Sequence, residues 1–178
     1  MIINTLGPVG SDSYRVAKTL IDVHDEINIY SSFDEIIAKI DDMENQYILI
    51  PTAYRSALSE YDWKDFNFEY WERMDLANVF HRKTKIMMLV ENAKFKKDCA
   101  IIHPATSIYM KKYIAKQYLN SKIEFASSKC KAYERFVKFD YRFTIASEDN
   151  ISFKNSYKII KKIQPEMVWC VYKVREKK

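Results

Sequence analysis

Glycine is nearly missing. The 178-residue chain contains two, where average usage of roughly 7% would supply about 12. Collagen-like and glycine-rich low-complexity classes are excluded on that count. Long apolar runs are missing too: stretches such as 47–50 and 86–90 are strand-sized and far short of the ~18 residues of a membrane-spanning helix. Met1-Ile2-Ile3-Asn4-Thr5-Leu6 has no basic segment ahead of an apolar one, so it does not read as a secretory signal, and the expectation is a cytoplasmic protein without a membrane partner. Cysteine and histidine are scarce and scattered. Cys99, Cys130 and Cys170 are widely spaced and odd in number, which predicts reduced core thiols rather than a disulfide framework. His24, His81 and His103 show none of the short paired spacings of zinc sites, so neither a metal nor any other cofactor is expected.

What is present describes a folded, mildly basic protein. Apolar residues make up 48% of the chain, aromatics 15% and charged residues 30%, a mixture that buries a core and excludes disorder. Lys+Arg 29 against Asp+Glu 24 gives a net charge of +5, which suits an anionic metabolite and falls well below the usual excess of a nucleic-acid binder. No nucleic-acid partner is therefore expected. Much of the excess lies in Lys158, Lys161, Lys162, Lys173, Arg175, Lys177 and Lys178 and reads as a solvated basic end.

Both glycines sit in one loop. Gly7 and Gly10 bracket Pro8, directly after an apolar run and directly before 14–21, whose apolar spacing is helical; this is a strand, a tight turn and a helix start. Pro51 and Pro104 likewise end strand-like runs and are followed by Thr or Ser. Helices are predicted at 12–23, 32–43, 107–119 and 129–137, with a short one near 147–154. Strands are predicted at 1–6, 27–30, 46–50, 72–80, 85–91, 98–102, 122–126, 141–146 and 167–174. The alternation indicates an α/β fold with largely parallel sheets. The turnless stretch 79–90 reads as a crossing into a second lobe, giving one domain with a first lobe of about 1–83 plus 164–178 and a second of about 84–163.

Open α/β sheets bind ligands at the carboxyl ends of their strands, where helix starts expose unpaired N–H groups suited to anions. Four such turns stand out. In the first, Gly10 allows close backbone approach and Ser11 or Ser13 can cap the helix or donate to a carboxylate. The second holds Thr52, Tyr54 and Arg55. The third holds His103, with Thr106 or Ser107 as helix cap, and the fourth holds Ser127 and Ser128. For each residue, capping or packing is the competing explanation; the first turn is neither a Rossmann fingerprint nor a P-loop.

Taken in order, the four turns resemble the catalytic domain of the prephenate dehydratase family. Thr5-Leu6-Gly7-Pro8-Val9-Gly10-Ser11-Asp12-Ser13 resembles that family's T-L-G-P-x-G-[TS]-x-S signature, and Phe33-Asp34-Glu35-Ile36-Ile37 its first-lobe helix. Ile50-Pro51, His103-Pro104 and Ser127-Ser128 fall where the family has V-P-x-E-N-S, S-H-P-Q and S-T. The resemblance covers nearly the whole chain. It implies a two-lobed fold like the type II periplasmic binding proteins, with a ligand cleft between lobes, and a small dicarboxylate such as prephenate as substrate. A homodimer is compatible with it.

The departures point to a subfamily. Thr52, Ala53, Tyr54 and Arg55 replace Glu-Asn-Ser, and Met167-Val168-Trp169 replaces the dehydratase Thr-Arg-Phe. Pro51-x-Ala53-Tyr54 and Met-x-Trp are similar to the non-aromatising prephenate decarboxylases of bacilysin-type antibiotic biosynthesis. Ala105 departs from both groups. The resemblance then implies that Gly10, Ser11 and Ser13 bind one carboxylate, that Ser127 and Ser128 help bind the other beside Thr106 and Ser107, and that Tyr54 and Thr52 orient the ring. His103 is the implied proton donor. Two alternatives stay open: a dehydratase-like enzyme yielding phenylpyruvate, and a non-catalytic binding or sensing module for an aromatic-pathway acid.

Overall fold

Tyr47–Pro51 (β3) and Glu166–Val174 (β10) are apolar almost throughout, and successive side chains point to opposite sheet faces, which decides which helix covers which residues. Ile48, Ile50, Cys170 and Tyr172 point to one side, while Leu49, Trp169 and Val171 point to the other. The computed structural model describes residues 1–177 and divides into two units, Met1–Lys83 with the segment from Glu166 onward, and Thr84–Pro165.

The first unit is a five-stranded sheet in the order β2-β1-β3-β10-β4, with β1 Ile2–Leu6, β2 Glu26–Tyr30 and β4 Met74–Lys83 completing it. Helix α1 (Asp12–Ala17) packs Val16 and Ala17 on the face of Ile3, Leu49 and Trp169. Helices α2 (Phe33–Ala38) and α3 (Trp63–Glu69) cover the opposite face through Phe33, Ile36 and Phe66. Buried Thr5 is satisfied by donating to the Leu49 carbonyl at 2.9 Å, which ties β1 to β3.

The second unit repeats the pattern in the order β7-β6-β8-β5-β9, with β5 Met87–Asn92, β6 Lys97–Ile102, β7 Lys122–Phe125, β8 Tyr141–Ser147 and β9 Tyr157–Ile163. Helix α4 (Ser107–Lys116) covers Leu89, Ala100, Ile102, Phe143 and Ile145. Helix α5 (Lys129–Lys138) lays Ala132 and Phe136 over Met88, Val90, Ile101 and Ala146.

Several expectations need correction. Neither sheet is largely parallel: each has two parallel and two antiparallel pairs, because β10 in the first and β5 in the second run against their neighbours. Helix α1 stops at Ala17 rather than residue 23, since the chain tightens through Thr19 N–H to Val16 and Leu20 N–H to Ala17. The helix expected near 147–154 is one 3-10 turn, Glu148–Asn150. Helix α3 and strand β9 were not expected. Helix α3 begins in a capping box, in which the Asp62 carboxylate accepts from Asp65 N–H and the Asp65 carboxylate from Asp62 N–H, satisfying donors that have no helical partner. All three cysteines are free, but only Cys99 and Cys170 are buried; Cys130 is half-buried on α5.

Candidate functional site

Parallel neighbours deliver their carboxyl ends to the same sheet edge, so each unit gathers its turns there. In the first unit β1 and β3 are parallel, which puts the 7–11 turn and Thr52 at one edge. Trp169 pairs with Pro51 and lies at that edge too. In the second unit β6, β7 and β8 are parallel, so the turns bearing His103, Thr106 and Ser107, then Ser127 and Ser128, then Ser147 and Glu148 open along one edge.

Local hydrogen bonds already occupy much of this polar set. The Ser11 hydroxyl accepts from Tyr14 N–H at 3.1 Å and donates to the Leu6 carbonyl at 2.9 Å, a cap whose single proton is committed. Ser13 is buried on α1. Gly10 has φ +87°, a backbone angle that favours glycine, and a Cβ there would meet no protein atom within 4 Å.

Thr52 N–H donates to the Val168 carbonyl at 3.0 Å and its hydroxyl points to the same oxygen at 3.5 Å. Thr52 therefore clamps β3 to β10 beside Trp169. Tyr54 departs from expectation most clearly. Its ring is 4% exposed in the core of the α2–α3 face, edge-on to Phe33 with centroids 5.3 Å apart, and its hydroxyl donates to Asp34 at 3.1 Å. The face that carries α1 and Trp169 is the other one, so Tyr54 packs the core rather than standing with the 7–11 turn. Burial and the Asp34 charge raise its pKa above that of a free phenol.

In the second unit, His103 Nδ1 accepts from Ala105 N–H at 3.3 Å and the Thr106 hydroxyl donates to the His103 carbonyl at 2.8 Å. Thr106 is the N-cap residue of α4, yet its side chain bonds backward rather than capping. Ser107 opens the helix, half-buried. Ser128 is the true cap of α5, accepting from Lys131 N–H at 3.1 Å, and Ser127 beside it is half-buried. Among the described residues no cluster of His, Cys, Asp and Glu could hold a metal, and no helix is long and apolar enough to cross a membrane.

Among the described residues three buried polar atoms, Trp63 Nε1, Thr84 Oγ1 and Trp169 Nε1, have no hydrogen-bond partner, and the last lies at the strand ends beside Pro51. Such an arrangement costs about 1–3 kcal/mol in desolvation. A tryptophan in an apolar strand carries no sequence signal for this.

Solved structures share this fold, while no protein-family model and no curated protein matches the sequence. The chain has the two-sheet α/β fold of prephenate dehydratase domains and periplasmic binding proteins. The prephenate dehydratase of Arthrobacter aurescens, in complex with L-Phe, superimposes with a TM-score of 0.61 at 9% identity over 100% of this chain and 63% of that one. The dehydratase of Staphylococcus aureus subsp. aureus Mu50 gives 0.57 at 13% identity over 99% of this chain and 67% of its own. The periplasmic binding protein BugD gives 0.61 at 8% identity over 98% and 76%. This chain thus spans less than two thirds of the Arthrobacter enzyme. Enzymes and binding proteins both use the fold, so chemistry has to be argued from side chains.

Proposed function

We propose that the protein binds prephenate and acts as a non-aromatising prephenate decarboxylase, as in bacilysin-type biosynthesis. The carrying observation is the start of β10. Where dehydratases resemble one another in Thr-Arg-Phe, this chain has Met167, Val168 and a buried Trp169 packed with Ile3, Val16 and Leu49. Such a strand offers no hydroxyl to assist departure of the ring hydroxyl. An apolar wall instead favours loss of carbon dioxide, because a ring carboxylate held there is poorly solvated and its localised charge passes into the ring, where it is spread and then neutralised by a proton.

In balanced form, the bond from the ring to its carboxylate breaks, its electron pair enters the cyclohexadiene, and a proton is added at a ring carbon. The ring hydroxyl stays, and the product is a dihydro-4-hydroxyphenylpyruvate. No electron acceptor is needed. His103 is the assigned donor: it gives the proton as imidazolium and returns to neutral imidazole, the form whose Nδ1 accepts from Ala105 N–H. Backbone N–H groups of the turns at Gly10 and at Ser127 and Ser128 are assigned to the carboxylates, with Ser13, Thr106 and Ser107 beside them.

The test is incubation of pure protein with prephenate and identification of the product. A hydroxyl-retaining dihydro compound with release of carbon dioxide supports the reading. Phenylpyruvate as main product restores dehydratase chemistry, and tight binding without turnover makes the protein a binding module.

A further inference from the structure

The net charge of +5 averages two unlike units. From Thr84 to Pro165 the chain has 17 Lys and Arg against seven Asp and Glu, so this unit carries +10 and the rest of the chain −5. Six of the seven acids are already held by cations of the same unit: Glu91 and Asp98 by Arg142, Glu124 by Lys97 and Arg135, Asp140 by Lys96, Glu148 by Lys162 and Asp149 by Lys85. The excess of cations therefore has no counter-charge within the unit.

Part of that excess collects at one edge of the sheet. Strands β6, β7 and β8 are parallel and start there; β5 ends there, and β9 starts beside it with Tyr157 opposite Asn92. This is the reverse of the edge that bears His103, Ser127 and Ser128. Four connections meet at it, and hydrogen bonds tie them together. Ala93 N–H donates to the Ser156 carbonyl at 2.8 Å, Lys96 N–H to the Asp140 carbonyl at 2.9 Å, and the Ser121 hydroxyl to Asp98 at 2.6 Å. Arg142 joins Asp98, at 3.2 Å, to the Phe95 ring, whose centroid is 4.9 Å from the guanidinium.

Lys94, Lys96, Lys122, Lys138 and Lys154 stand exposed along these connections, and the acids beside them, Asp98 and Asp140, are both paired. Exposed rings alternate with the lysines. Phe95 lies between Lys94 and Lys96, Phe139 follows Lys138 and is 49% exposed, and Tyr118 is 95% exposed. Cations interleaved with accessible rings match a polymer whose repeat pairs a phosphate with a flat base, since each linkage offers a charge and each base a face to stack. A lipid surface would call for aliphatic side chains, and the large exposed aliphatics of this unit, Ile108 and Ile159, lie outside these connections.

We infer that this edge of the second sheet binds single-stranded nucleic acid without sequence preference, its lysines on the phosphates and Phe95, Tyr118 and Phe139 against the bases. That reverses the expectation drawn from the charge of the whole chain, and it does not rest on the prephenate reading.

The test is fluorescence anisotropy of a labelled oligouridine of about 15 nucleotides, titrated with the whole protein over a series of salt concentrations. Micromolar binding is expected at about 50 mM salt, weakening with a log–log slope of about −3, the value for roughly four phosphates on a single strand. Lys94→Glu combined with Lys122→Glu should weaken binding at least about tenfold and flatten the slope by about 1. Tyr118→Ala and Phe139→Ala should each weaken it about fivefold or more and leave the slope unchanged; Tyr118→Ala decides if Phe139→Ala fails to fold. Lys161→Glu, a charge reversal toward the other end of β9, should stay within about twofold of wild type. Absence of binding up to about 100 µM protein at that salt, an equal loss in Lys161→Glu, or a Tyr118→Ala that binds as wild type would overturn the inference. Binding to phosphatidylserine vesicles with none to the oligonucleotide would overturn it too and make the edge a lipid surface.

Discussion

Tyr54 donates its hydroxyl to the carboxylate of Asp34 at 3.1 Å, joining the turn after β3 to the first turn of α2. A hydrogen bond to a charged group contributes about 1.5–3 kcal/mol when sheltered, so Tyr54→Phe should lower stability by roughly that amount while the ring still fills its place beside Phe33. Prephenate affinity should stay within about twofold. Denaturant unfolding and ligand titration on the same variant check this. An affinity loss without a stability loss would return Tyr54 to the ligand.

Alkaline pH should unfold the protein early. Seven tyrosines, Tyr30, Tyr54, Tyr61, Tyr70, Tyr113, Tyr157 and Tyr172, have pKa values raised first of all by burial. A raised phenol pKa means the folded state prefers the neutral form. The stabilisation is fully present below the unfolded phenol pKa of about 10 and declines as pH rises above it toward the folded values. Thermal midpoints should hold to about pH 9.5 and then fall steeply, with phenolate absorbance appearing together with unfolding. Phenolate formed well before unfolding would contradict the burial of these rings.

The turns were legible because proline, glycine and serine punctuate them: Ser32 and Ser128 cap helices through the Glu35 and Lys131 N–H groups, as their positions before helical runs suggest. Strand direction was not legible, since nothing local to β10 or β5 records which way a neighbour runs. Helix α3 hid among Tyr61, Trp63, Phe66, Phe68 and Tyr70, where aromatics blur any helical period. The lysines of strand β9 read as part of a solvated basic end because an edge strand buries little and tolerates lysine. The role of Tyr54 was unreadable for a different reason: just beyond Pro51, the side of the sheet it turns toward depends on the tertiary path.

Gly10 should matter through its backbone alone. At φ +87° with nothing near a Cβ, Gly10→Ala should cost about 1–2 kcal/mol of left-handed strain, and Gly10→Asn less, because asparagine tolerates that region. Gly7 differs: its Cβ would lie 3.3 Å from both Ile29 Cβ and the Tyr30 carbonyl, so Gly7→Ala must push β2 aside. Thermal unfolding of the three variants gives the order. Equal losses for alanine and asparagine at position 10 would mean that the angle is not the constraint.

His103 carries two separable roles, and a pair of substitutions distinguishes them. Its Nδ1 accepts from Ala105 N–H at 3.3 Å, holding the turn into α4, while the proposed chemistry uses the proton on Nε2. Asparagine offers a side-chain oxygen near the position of Nδ1 and nothing at Nε2; alanine offers neither. His103→Asn should therefore keep the turn, with stability within about 0.5 kcal/mol of wild type, yet lose product formation by about a hundredfold, the usual scale for a missing general acid. His103→Ala should lose the same activity and about 1 kcal/mol of stability besides. The stability comparison stands whatever the substrate. A fully active His103→Asn would make the residue a turn cap and send the search for the proton donor to another strand end.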